Sequence, residues 1–549
     1  MRSRIAPSFL FLLAAGLPSA SFAASPVVGL ATAPGPSPVA DAAMNGDFPG
    51  VRALIVKKAD VNAPQPDGST ALHWAAHLAN HDMIDALLKA GADPKAATRL
   101  GATPLYLASV TGDPVSIKKL LTAGADPNEK ILEHGESSLM FASRSGNIES
   151  VRILLEAGAK VDVADQLRGT TALMWAAEQN HADIVKLLLD HKAPADARTK
   201  VTAGAVRPAR KPAKAAAAAA ADGQEEEEAP AQALPASANS TGGVTALMLA
   251  VRENAVEAAT ALLDGGAPIN EITGNGSTAL LVATQNGNAR MAHLLIERGA
   301  DVNIANGKGW NPLYLAIKAR TMEKGTMPNP EVDENGLMED IKMMVDKGAN
   351  VNARLKADTE IHNGIAATWL REAGATPFLR ASLCGDLEVM KLLLAHGADP
   401  RISTTDGTTT LMALSGVGYA EGFMRDFGTP EQSLEAMKIL IDAGIDVNAK
   451  NSDDVTALHG AAHKNFVAGI DMLVQHGADL TARSHRASPF ERVGNPGNTP
   501  LDWATGVQIG MQSSIYHPDS VAMVSKLMKE RGIEVKGLSS TKGGLAVAK

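Results

Sequence analysis

The residues with the most chemical potential are histidines. His73, His77 and His81 follow one another at four-residue spacing, and His459 and His463 repeat it. On a helix that spacing puts side chains on one face, where imidazoles could converge on a metal. Zinc, however, needs three or four converging ligands, and no Glu lies between the members of either pair to make a His-Glu-x-x-His site. Nucleophile patterns fare no better. The sequence has neither a Gly-x-Ser-x-Gly elbow nor a Gly-x-x-x-x-Gly-Lys-Ser/Thr phosphate loop. Cys384 is the sole cysteine, which excludes an intramolecular disulfide framework, Cys-based zinc fingers, Fe–S clusters and a Cys-x-x-Cys-His haem site. No catalytic group, metal or cofactor is expected, and the chain reads as a non-enzyme.

Aromatic residues are more informative. Only 19 are present (10 Phe, 5 Trp, 4 Tyr). When segments are aligned on a recurring Thr, Trp74, Phe141, Trp175 and Trp503 share one position, interleaved with Leu107, Leu249, Val282 and Leu315. Three residues further on stand His77, Val110, Arg144, Glu178, Arg252, Gln285 and Lys318. Two accounts stay open. The aromatics could simply pack one unit on the next, or they could anchor a partner in a groove ringed by mixed charge. The candidate protein-binding set is therefore Trp74, His77, Phe141, Arg144, Trp175 and Glu178.

The elements that position this set are repeats. Leu-Leu-x-x-Gly-Ala-Asp, followed by Val-Asn or Pro, recurs with its glycine at 91, 124, 158, 266, 299, 348, 397, 444 and 477. Degenerate copies start at Lys58, Lys192 and Gly532. Spacings of 33 and 34 residues alternate with longer ones up to 74, as one repeated unit with insertions would give. About 21 residues before each closure stands Gly-x-Thr-Ala/Pro-Leu-x-x-Ala, as in Gly68–Ala76, Gly169–Ala177 and Gly497–Ala504. This is a helix start: Thr supplies the cap oxygen, and Pro at the next position has the right φ and no N–H to waste. A second helix follows, with apolar residues at i, i+3 and i+4 as in Ile184–Leu189, and the closing glycine suits a left-handed C′ position.

With these phrases in register about twelve times, the chain resembles the ankyrin-repeat proteins from about residue 41 to 537. The resemblance implies an all-α repeat solenoid of about twelve stacked helix–turn–helix units with β-hairpin fingers. It also implies that a concave face and the fingers bind another protein, with no enzymatic activity in the repeats, and that consensus histidines such as His73 and His459 bond the inter-unit turn.

Boundaries follow from composition. Residues 1–23 read as a signal peptide: Arg2 and Arg4, the apolar run Phe9–Leu17, then Ser21-Phe22-Ala23, with cleavage between Ala23 and Ala24. Residues 24–40 read as a disordered leader, 41–199 as repeats 1–5, 200–242 as a disordered low-complexity linker, 243–537 as repeats 6–12 with loop insertions, and 538–549 as a disordered tail. The linker carries Arg207, Arg210, Lys211 and Lys214, an alanine run and Glu225–Glu228, a composition that cannot build a core. Shorter inserts fall near 322–336, 355–373, 419–431, 483–496 and 508–518. The formal charge of −9 disfavours a nucleic-acid partner, and no apolar run is long enough to span a bilayer. The expectation is a monomeric, periplasmic or secreted binding scaffold. Competing readings are a periplasmic protective or regulatory partner of a redox or stress enzyme, and a host-directed effector.

Overall fold

The computed structural model describes residues 37–203, 240–321, 333–358, 370–419, 427–485, 497–506 and 516–535. The segment read as a signal peptide with its expected cleavage between Ala23 and Ala24, most of the stretch read as a linker, the middle of each shorter insert and the tail lie outside these residues. Among the described residues there are twelve pairs of helices and no regular strands, an all-helical repeat solenoid. The first pair, Pro38–Met44 and Phe48–Val56, begins inside the stretch read as leader; Val39, Ala40 and Ala43 are buried against the next unit. The last pair is Pro500–Ala504 and Pro518–Glu530.

Each inner helix starts as its sequence dictates. The Thr171 Oγ1 accepts from the Met174 N–H, Thr245 from Met248 and Thr278 from Leu281, while Pro104, Pro312, Pro377 and Pro500 occupy first helical positions. Each outer helix ends in a Schellman pair: Gly91 N–H donates to the Leu88 carbonyl and Ala92 N–H to that of Leu87. The degenerate copies keep this geometry without the glycine. Lys58 and Lys192 sit at φ +58° and +67° in the same left-handed position.

Stacking is unbroken. Every inner helix packs on the inner helix of the next unit and every outer helix on the next outer helix, from the first unit to the twelfth. Paired small residues such as Ala75–Ala76, Ala176–Ala177 and Ala461–Ala462 are fully buried between neighbours. Polar brackets lock the register. Asn62 Nδ2 donates to the Gly91 carbonyl while its Oδ1 accepts from Asp93 N–H, and Asn128, Asn303, Asn352 and Asn448 do the same one unit on.

One expectation needs correction. The fingers are not hairpin ladders among the described residues. They are tight turns, such as Gln65–Ser69 and Asn306–Trp310, closed by one or two backbone bonds, with isolated bridges at Ile131–Glu136, Ala164–Thr171, Thr202–Thr241 and Ser484–Asn498. Five or six residues are too few for a ladder, so their remaining bonds run to the neighbouring tip: Arg99 N–H to the Asp67 carbonyl, Gln166 to His134, Lys200 to Arg168. Units 5 and 6 stay in register across the 200–242 stretch. Inner helices Ala172–Glu178 and Ala246–Arg252 stack directly, as do outer helices Ala182–Asp190 and Val256–Asp264. Asn180 Oδ1 accepts from Ala258 N–H, and the insertion is pinched off at its base by paired bonds between Thr202 and Thr241.

Candidate functional site

The inner helices of units 3 to 5 carry a continuous aromatic run. Tyr106 meets Phe141 edge-on at 4.7 Å between centroids, and Phe141 meets Trp175 at 5.0 Å, both near 80°. The Trp175 indole N–H donates to Thr170 Oγ1, which fixes the ring, and the Arg144 guanidinium lies over it at 5.4 Å. One unit on, Arg252 donates to Glu178 at 2.6 Å and to Glu253 at 2.9 Å. The structure thus brings Phe141, Arg144, Trp175 and Glu178 together. Trp74 and His77 form their own edge-on pair at 6.2 Å further down the same face, with the Trp74 indole bonded to Gln65. Tyr106 is a link that the sequence register missed, because it precedes the aligned position by one residue.

Trp175, Arg144, Glu178, Leu249 and Arg252 form one wall of a groove of about 550 Å³, and the turn residues Asp165, Leu167, Arg168 and Lys200 form the other. Thr202 and Thr241, the base of the long insertion, stand on its rim. Asp165 is the hub of its turn. Burial pushes its carboxyl up, but bonds from Arg168 N–H, Thr170 N–H and the Thr170 hydroxyl outweigh this and hold it below the usual carboxylate range. A second hollow of about 660 Å³ lies on the outer-helix side among Asp85, Leu88, Val115 and Ile153, with no aromatic in it.

Trp503 shares the aromatic register but not the exposure. It is fully buried, wedged edge-on between His459 at 5.5 Å and His463 at 5.8 Å, with its indole donating to Ser484 Oγ. The packing account holds there, whereas Phe141 and Trp175 are only partly buried. In units 8 to 10 the equivalent face is filled by the chain itself. Leu370, Tyr419 and Phe427, at the ends of two inserts, pack on Trp310, Tyr314, Leu315 and Leu379. Glu372 there accepts from the Tyr314 hydroxyl at 3.0 Å and lies 3.4 Å from the Lys318 ammonium, whose pKa is lowered by burial.

The histidines are structural. His73 Nδ1 accepts from Thr70 N–H while Nε2 lies 3.0 Å from the Ala102 carbonyl of the next turn, and His459 repeats this with Thr456 and Asn498. Both ring nitrogens are thereby committed to backbone. No cluster of three His, Cys, Asp or Glu fit to hold a metal occurs among the described residues. Cys384 is buried at a helix end with its Sγ 3.9 Å from the Thr321 carbonyl. No helix among the described residues is long and apolar enough to cross a membrane.

A family model described as Ankyrin repeats matches residues 39–131, 112–201 and 247–324, and one described as Ankyrin repeat matches 373–405 and 453–485. Together these stretches take in more than half of the chain.

Proposed function

The chain belongs to the ankyrin-repeat family, and from that premise we propose that it is an exported, non-catalytic scaffold that captures a partner protein in the groove of units 4 to 6. Such repeats are generally protein–protein interaction modules. The observation that carries this reading is the partly buried Trp175 ring, backed edge-on by Phe141 and with Arg144 laid over it, in a groove not filled by the chain's own described residues. Aromatic and Arg anchors in a concave setting are the residue types that dominate interface energetics. The groove of the second half, by contrast, is packed with Leu370, Tyr419 and Phe427. The arginine-led apolar start of the sequence supports export to the periplasm or beyond.

Placing a photo-crosslinking side chain at Leu249, and separately at Ile153 on the outer face, tests the site. One polypeptide should be cross-linked at Leu249, not at Ile153, and unlabelled protein should compete with it. Cross-linking confined to Ile153 would refute the placement. Protein recovered from the native host should begin at Ala24; a mature chain starting at Met1 would refute export.

A further inference from the structure

The charge in the groove is uneven in a way that specifies what it can hold. Of the acids on its walls, Glu178 is neutralised by Arg252 at 2.6 Å. Asp165 spends its oxygens on Arg168 N–H and on both donors of Thr170, which leaves Glu136, with one oxygen buried and without a hydrogen-bond partner among the described residues, as the single uncommitted carboxylate. The cations are less committed. Among the described residues the Arg144 guanidinium contacts the Trp175 ring and no carboxylate, the Arg168 guanidinium likewise has no carboxylate partner, and the Lys200 ammonium donates to the uncharged Gln166 carbonyl. Three cations thus face a cleft whose floor is Trp175 and Leu249, in a chain of net charge −9. A guanidinium stacked on an indole keeps its in-plane N–H donors free, and these match a carboxylate in bidentate geometry.

We propose that the groove of units 4 to 6 takes an extended, carboxylate-rich peptide segment of a partner protein, with a large apolar side chain seated on Trp175 and Leu249 and carboxylates paired with Arg144, Arg168 and Lys200. This rests on the reading of the groove as the docking surface and adds the chemistry of the occupant. A polyphosphate strand fits less well, because its unbroken charge would run past Glu136, Asp165 and Glu178 on the same walls. Carboxylates separated by apolar residues can instead fall on the cations and leave the acids to water.

The test uses the full chain and fluorescence anisotropy at low salt, with a short labelled peptide of alternating Glu and Leu. A Lys–Leu peptide of equal length and a single-stranded oligothymidylate serve as competitors. The acidic peptide should bind, weaken with added salt, and lose about tenfold or more in affinity in the R144E/R168E double variant. The R144K/R168K variant, which keeps the charge but not the bidentate fork, should fall between wild type and R144E/R168E, and R152E, on the outer helix, should leave affinity unchanged; circular dichroism checks that each variant is folded. Equal binding of the Lys–Leu peptide or of the oligothymidylate, or indifference to R144E/R168E, would overturn the proposal. So would binding seen only after residues 204–239 are deleted, since that outcome assigns the groove to the chain's own Glu225–Glu228. A partner cross-linked at Leu249 that ignores acidic peptide would defeat this inference alone; no cross-link there would defeat the docking surface as well.

Discussion

Acid should loosen the last two units before most others, and His459 sets the size of the effect. Its Nδ1 accepts the Thr456 N–H at 3.1 Å, so a proton placed on that nitrogen would point at a donor. Burial lowers its pKa to about 4, against 6.5 for a free imidazole. Between those values the unfolded chain binds more protons than the folded one, so stability is complete above pH 6.5 and is lost as pH falls toward 4. At pH 5 the free imidazole is almost fully charged and the buried one mostly neutral, a difference of about 2 kcal/mol. The bond at risk, Thr456 N–H to His459 Nδ1, fixes the ring whose Nε2 reaches the Asn498 carbonyl and so ties unit 11 to unit 12. Regional hydrogen exchange, corrected for intrinsic rates, should show helices Ala457–His463 and Pro500–Ala504 opening about 30-fold more at pH 5 than at pH 7. A His459→Gln variant should open more at neutral pH yet show almost none of that acid response. Equal protection at both pH values, or an unchanged acid response in H459Q, would refute the reasoning.

Other outcomes follow from the same stack. Asp340 works in the opposite sense: burial raises its carboxyl to about 8 from 3.8, so between those values the folded state holds a proton that the unfolded chain has lost, and stability falls as pH rises toward 8; Asp340→Asn should raise the melting temperature relative to wild type by much more at pH 9 than at pH 5. Lys192→Gly should stabilise by about 1 kcal/mol in urea unfolding, because the φ of +67° there is strained for any residue with a Cβ. Asn303→Ala should cost about 1–2 kcal/mol, since it strands the Asn350 N–H and the Gly348 carbonyl that the amide brackets. Deleting residues 204–239 should leave the urea midpoint within about 1 kcal/mol of wild type, as units 5 and 6 stack without them.

The architecture was legible because it is written many times over: Thr at a cap, Gly at a left-handed exit and Leu-Leu between them are local signals that need no tertiary context. The same locality explains what was missed. Lys58 and Lys192 looked degenerate by residue type, yet the flanking helices impose the glycine conformation on them. The fingers were overestimated because nothing in the sequence says that their bonds run between tips rather than within a hairpin. For the site, Arg144, Trp175 and Glu178 were readable from register alone. That Trp503 would be sealed by Ser484 and two histidines, and Lys318 covered by Glu372, was not readable, since these partners come from inserts whose return path no periodicity encodes. The pairing of Glu178 with Arg252 spans the long insertion and depends on units 5 and 6 stacking across it.

The brackets between units have a mechanical consequence. Bonds between neighbouring turn tips recur along the stack, and the full asparagine bracket is added at five junctions, by Asn62, Asn128, Asn303, Asn352 and Asn448, while the chain stored per unit differs widely. Closures 33 residues apart release about 115 Å of extended chain, those 49 apart about 170 Å, and the pair separated by 74 about 260 Å. Pulled from its ends, the solenoid would give steps of unequal length, and the single longest step would mark the moment when the junction of units 5 and 6 lets go.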